Sequence, residues 1–270
     1  MFKRVVTSVI GLPLLVLVVN FGGTPLALLL TFLSVVGLRE LYLAFSKKNR
    51  AIHLVGYVFT IVYYASTAYI GVSSWLLIEL TLLIIAVQAC LVLFYKQIPL
   101  QESIMTIYGF FYVSFLLSFI YLIREHEYGR YYVWLVFTSS FGCDTFAYLT
   151  GKAFGRYKLK DTPSPSKTLE GIIGGVAGAA LVGWLYGIFV SRVLNFTDIQ
   201  IALNAAIISV CGAAFSIIGD MTASALKRHT GIKDFGKIFP GHGGVLDRFD
   251  SVIITAPIVY LAMTAILWIR

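Results

Sequence analysis

The chain has 270 residues, of which 59% are hydrophobic and 13% charged, with a mean hydropathy of +0.86. A soluble domain cannot hide so much apolar surface, so composition selects the polytopic membrane class. The formal net charge of +8 is not a nucleic-acid signal, because the basic residues interrupt hydrophobic runs instead of forming a patch with stacking aromatics; anionic head groups and phosphates are the expected partners.

A helix needs roughly 20 apolar residues to cross the hydrocarbon core. About nine segments meet that: 5–21, 25–45, 53–70, 75–95, 104–122, 132–154, 169–194, 199–229 and 250–269. The start, Met-Phe-Lys-Arg before an apolar run, has the layout of a signal peptide without a small-residue cleavage site, and is read as a retained first helix. The expectation is an all-α, polytopic, single transmembrane domain. Residues 1–125 form its N-terminal, lipid- or dimer-facing half, and residues 126–270 form its catalytic half. Cys90, Cys143 and Cys211 lie in apolar runs without metal-ligand spacing.

Alternating the spans from the N-terminus collects sixteen lysines and arginines on one side and only Arg124, Arg130, Arg192 and Arg270 on the other. Basic residues accumulate in the cytoplasm. The N-terminus and both long polar loops are therefore expected there, in the inner membrane of a cell, with the active site near that face.

Arg39 and Glu40 interrupt the second span and Glu79 the fourth. Structural pairing and a supporting role behind a polar site are both open for them. Gly171, Gly174, Gly175 and Gly178 make two overlapping G-x-x-x-G steps. These let helix backbones approach closely, within the protomer or across the expected homodimer.

Asp144 lies well inside the sixth span, where an unpartnered carboxylate is expensive, so contact with metal, substrate or a basic group is expected. The following loop carries Lys152, Arg156, Lys158, Lys160 and Lys167, and its Ser164-Pro-Ser-Lys-Thr168 leads into a helix start suited to phosphate. An ordinary basic cytoplasmic loop is the alternative.

Chemistry concentrates in residues 220–250, which hold four aspartates, three lysines, two arginines, two histidines and five glycines. If the eighth helix continues past Asp220, then Ser224, Lys227 and Arg228 fall within about 80° of it on the helical wheel. The chain then passes Lys233, Asp234 and Lys237 to Pro-Gly-His242-Gly243-Gly244, whose glycines permit close backbone approach to a ligand. Asp247 and Asp250 follow at i and i+3, flanking Arg248. Aspartates from two helices among several cations suit Mg²⁺ holding a polyphosphate, since magnesium takes hard oxygen ligands and shares its coordination with substrate.

The run from Ser224 to Asp250 fills every fixed position of S-x-x-K-R-x(4)-K-D-x(5)-P-G-H-G-G-x-x-D-R-x-D. It resembles the signature of the phosphatidate cytidylyltransferases (CDP-diacylglycerol synthases), and the earlier D-T-F-A-Y and S-P-S-K-T-L-E-G are similar to that family's elements. One departure is Ala223, where many members have an acid. The resemblance implies that CTP and phosphatidate give CDP-diacylglycerol and pyrophosphate. It implies Asp220 and Asp247 as metal ligands with Asp144 and Asp250 as further candidates, Mg²⁺ as the catalytic ion, and K⁺ as a candidate for a second ion. Asp220, Asp247, Lys227, Arg228 and His242 are then the catalytic residues. Lys167, Ser164, Thr168, Ser224, Lys233, Lys237, Gly243, Gly244 and Arg248 are the substrate-binding ones. The runner-up is a CTP-dependent lipid alcohol kinase. An ion-coupled transporter is the alternative of a different class, and it calls for broken polar helices in both halves.

Overall fold

The computed structural model describes residues 2–46, 51–71, 75–194, 199–238 and 243–268. The all-α expectation holds: the described residues form no strand, and one isolated antiparallel bridge joins Lys158 to Thr168. In chain order the helices are α1 (Phe2–Phe21), α2 (Gly23–Ser46), α3 (Ala51–Tyr69), α4 (Trp75–Leu93), α5 (Leu100–Gly109), a π-helical turn (Phe110–Phe115), α6 (Leu116–Glu125), α7 (Gly129–Phe154), α8 (Leu169–Val193), α9 (Ile199–Thr230) and α10 (Leu246–Trp268). Among the described residues six helices are long and apolar enough to cross a membrane: α2, α4, the continuous helix Leu100–Glu125, α8, α9 and α10. The expected segments 5–21, 53–70 and 132–154 are helical too, as α1, α3 and α7, but stand outside those six. α4 is apolar on all sides, and only 11% of its most apolar window is buried, as lipid-facing protein requires.

The chain divides into two compact units. One comprises Met1–Tyr121 with Thr230–Arg248, the other Leu122–His229 with Phe249–Arg270. The polar residues 230–238 and 243–248, expected with the C-terminal half, thus group with the N-terminal helices. The last helix also begins four residues before the expected Asp250, at Leu246.

In the first unit α2 buries Leu26, Leu30, Leu33, Gly37 and Leu41, the three-to-four spacing of one helical face. Polar groups in this interior meet one another. Tyr64 donates its hydroxyl to the Ser114 carbonyl (3.0 Å), Thr60 Oγ1 and Ser114 Oγ lie 2.7 Å apart, and Tyr63 and Ser118 hydroxyls 2.7 Å apart. Ser114 belongs to the π-helical turn, whose widened backbone departs from the ordinary i to i−4 ladder, and a side-chain donor from α3 serves its carbonyl.

In the second unit the glycine stripe of α8 is seated on α7. A Cβ at Gly175 would lie 2.8 Å from the Cys143 carbonyl and 2.9 Å from Ala147 Cβ, one at Gly171 2.8 Å from the Ala147 carbonyl, and one at Gly178 inside the Phe146 side chain. The overlapping G-x-x-x-G steps therefore serve packing inside this chain. One turn and more further along, Gly187 sits against Ala202 of α9, and Gly212 of α9 against Ser139 of α7 and Val259 of α10. The contacts at Gly175 are to backbone and to short side chains that cannot swing away. Gly175→Ala is therefore expected to destabilise the protein by roughly 1–3 kcal/mol, read as a lowered unfolding midpoint in detergent. Gly142→Ala, whose Cβ would meet nothing closer than 3.9 Å, serves as the tolerated control.

Candidate active site

A cavity of about 410 Å³ opens in the second unit between α7, the 155–168 loop and the start of α8. Its lining combines apolar Ala147, Ile172 and Ile217 with polar Asp144, Lys152, Ser164 and Lys167. Such a lining suits an amphiphile with a phosphate head group, because each part of the ligand finds its own solvent.

The loop that contributes to this lining is held by main-chain contacts. Leu159 N–H donates to the Lys167 carbonyl (3.0 Å), Leu169 N–H to the Tyr157 carbonyl (3.0 Å), and Tyr157 N–H to both carboxylate oxygens of Glu170 (3.1 and 3.2 Å). Thr168 is the N-cap of α8: in an extended conformation, it accepts the Gly171 N–H through Oγ1 at 3.1 Å. Gly151 and Gly155 admit it, since a Cβ at either would stand 3.0 Å from that oxygen. Thr168 is buried, lines the cavity, and uses its oxygen as the acceptor at the helix end. What the cap achieves is to fix Lys167 immediately before it. Lys167 Nζ forms an ion pair with Asp220 Oδ2, the two side chains 22% and 25% exposed.

α9 continues past Asp220 to Thr230, as expected, so Ser224 and Lys227 share its helical face. Asp144 and Asp250 meet at a residue that sequence reasoning missed. Ser251 Oγ lies 3.4 Å from Asp144 Oδ2 and 3.4 Å from Asp250 Oδ1, and the Ser251 N–H donates to Asp250 Oδ1 at 2.7 Å. The charges of Asp220, Asp144 and Lys227 all act on Asp250, and those of Lys167 and Asp220 on Asp144. Three of the four expected acids, with two of the expected cations, are thus one electrostatic group. The serine directly after the signature's last aspartate was the available signal.

No three His, Cys, Asp or Glu side chains among the described residues converge tightly enough to cage a metal by themselves. Carboxylate pairs meeting at a hydroxyl nevertheless match Mg²⁺, which keeps waters and completes its shell with substrate phosphates rather than with an all-protein cage. Asp144, Asp220 and Asp250 are the residues of this unit that would hold it.

In the first unit Asp247 closes the signature loop on itself. Its Oδ2 accepts the Phe235 N–H (2.8 Å) and the Gly244 N–H (2.9 Å). Gly243 has φ of 87°, a left-handed conformation that favours glycine, and a Cβ there would approach Asp247 Oδ2 to 2.9 Å. Lys233, Lys237 and Arg248 are exposed, as is Arg228 of the other unit. His242, with Pro240 and Gly241, lies outside the described residues.

If the N-cap positions the cavity lining, Thr168→Ala should cost about 0.5–2 kcal/mol while Thr168→Ser stays close to the parent. Chemical denaturation of the purified protein in detergent measures both.

The model of the cytidylyltransferase family matches residues 2–266 of the chain. A phosphatidate cytidylyltransferase of Thermotoga maritima is 41% identical over 150 residues, a stretch covering 56% of this chain and 55% of that protein, so the match spans about half of that relative. The phosphatidate cytidylyltransferases of Staphylococcus haemolyticus and Staphylococcus aureus strain COL are each 30% identical, over 262 and 264 residues, covering 96% of this chain and 98% of theirs. With a signature complete from Ser224 to Asp250 and a family match along nearly its whole length, the chain belongs to the cytidylyltransferase family.

Proposed function

We propose that the chain is a phosphatidate cytidylyltransferase, which joins CTP and phosphatidate to give CDP-diacylglycerol and pyrophosphate. The observation that carries this reading is the cavity whose lining combines Asp144 and Lys167, the latter ion-paired to Asp220, with apolar Ala147, Ile172 and Ile217. It offers a lipid phosphate both apolar and charged contacts.

In the proposed reaction an oxygen of the phosphatidate monoester attacks the α-phosphorus of CTP. The bond from that phosphorus to the bridging oxygen breaks, and pyrophosphate leaves with the electron pair. The nucleophile's second pKa is about 6, so it is anionic near neutral pH and no strong general base is required. What remains is positioning and neutralisation of phosphate charge. Lys167 is already held against a carboxylate and can exchange it for a phosphate oxygen, while Lys227 faces the same acids. Ser164 in the cavity lining and Ser224 on the Asp220 face of α9 supply hydroxyl donors. We assign phosphate contacts to Arg228, Lys233, Lys237, Arg248 and the Gly243-Gly244 turn, donation to the leaving pyrophosphate to His242, and a metal-ligand role to Asp247. Mg²⁺ bound to these carboxylates would neutralise phosphate charge, with K⁺ a candidate second ion. The sixteen-to-four asymmetry of basic residues supports an inner-membrane location with the N-terminus and both polar loops cytoplasmic. A homodimer is part of the proposal.

Asp220→Asn and Asp250→Asn are each expected to lower turnover by roughly 100-fold or more while leaving the protein folded in detergent. The assay is transfer of label from CTP to lipid in vesicles containing phosphatidate. Label from the α-phosphate must enter the lipid. Transfer of γ-label alone, onto a polyprenol or phytol acceptor, would instead make the chain a lipid alcohol kinase.

A further inference from the structure

Glu40 is a buried carboxylate in the last third of a membrane-length helix, 4% exposed, and the proposed mechanism makes no use of it. Its two oxygens are engaged by backbone, not by a cationic side chain: Oε1 accepts the Val245 N–H at 3.1 Å and Oε2 the Leu246 N–H at 3.0 Å. The Val245 amide immediately precedes α10 and the Leu246 amide begins it, where a helix supplies its N–H groups with no carbonyl four residues back. A carboxylate there satisfies two orphan donors and sits at the positive end of the helix dipole.

Two glycines of the signature loop are shaped around this contact. A Cβ built on Gly244 would collide with Glu40 Oε1, Oε2 and Cδ, and one on Gly236 with Glu40 Oε1, Cδ and Cγ. Neither glycine is among those with positive φ, which in the described residues are Gly22, Gly23, Gly71, Gly231 and Gly243. Space for the Glu40 side chain, rather than backbone conformation, is therefore what requires glycine at 236 and 244. One turn earlier on α2, a Cβ on Gly37 would stand 3.3 Å from Leu246 Cδ2, so the same helical face that binds the Leu246 amide also receives its side chain.

We infer that Glu40 is a positioning residue: lent by a distant helix as the N-terminal cap of α10, it sets where Asp247, Gly236 and Gly244 stand. Asp247 then completes the arrangement from within by holding the Phe235 and Gly244 amides. Removing Glu40 would leave Asp247 on a helix start with two buried amides unpartnered, and the loop would lose the template around which its glycines close. The activity arm of the test rests on the proposed cytidylyltransfer; the exchange arm does not.

The experiment uses the full chain purified in detergent, with Glu40→Gln, Glu40→Ala, Gly236→Ala and the double variant Glu40→Ala/Gly236→Ala. Glutamine keeps the shape but turns one acceptor into a donor facing an N–H. Hydrogen exchange is expected to accelerate about tenfold or more in peptides covering 243–248 of Glu40→Gln and to stay unchanged in α7 and α8. In the activity arm kcat should fall about 10- to 100-fold with the KM for phosphatidate within twofold. Gly236→Ala should be impaired alone, and the double variant no worse than the poorer single, because truncation at 40 removes the atoms that a Cβ at 236 would strike. Unchanged exchange at 243–248 in Glu40→Gln would overturn the inference. So would losses that multiply in the double variant. If the parent protein transfers no cytidylyl group, the function proposal fails while the exchange arm still decides the role of Glu40.

Discussion

A carboxylate surrounded by hydrocarbon persists only where donors or cations meet it, and the polar parts of this chain are organised around that demand. Five acids around the signature and its facing segments are met in several ways. Asp220 is met by the Lys167 ammonium, Asp144 and Asp250 by the Ser251 hydroxyl, Asp247 by two loop amides and Glu40 by the amides that open α10. The partners are drawn from segments up to 206 residues away in the chain. Every such pairing therefore fixes the path of the backbone as well as the charge.

The same demand separates acids whose partners are main-chain amides from acids whose partners are side chains. Glu40 and Glu170 spend their oxygens on main-chain N–H groups and so act as struts. Asp144 and Asp220 are held by side chains that can move away, a serine hydroxyl and a lysine ammonium. Exchanging a mobile ammonium for a metal cation requires no unravelling of helix or loop. A membrane cytidylyltransferase needs this property, because its substrates bring large negative charge into a site that must remain intact without them.

Glycine does two kinds of work in this framework. In α8 it lets two helix backbones touch through the Gly171–Gly178 stripe, which the spacing in the sequence already displays. Around Glu40 it makes room for one side chain from another part of the chain, and there the motif P-G-H-G-G shows only that glycine is present. The left-handed Gly243 is a third case, in which conformation rather than space is at stake.

Hydrophobic periodicity and length were enough to identify the membrane class, the helical fold and the continuation of α9 beyond Asp220, because the 3.6-residue repeat and the cost of exposing backbone in lipid are local rules. The spacing from Ser224 to Asp250 likewise disclosed the family and most candidate residues, since charge inside an apolar chain is conspicuous without coordinates. Only the tertiary structure decided which partner each charge found. That Lys167 meets Asp220, that Ser251 joins Asp144 to Asp250, and that Glu40 holds the start of α10 are contacts between elements far apart in sequence. Sequence spacing carries no distance between separate helices. It could mark Glu40 as costly, but the amides that satisfy it come from ordinary backbone, which has no side-chain signature to read.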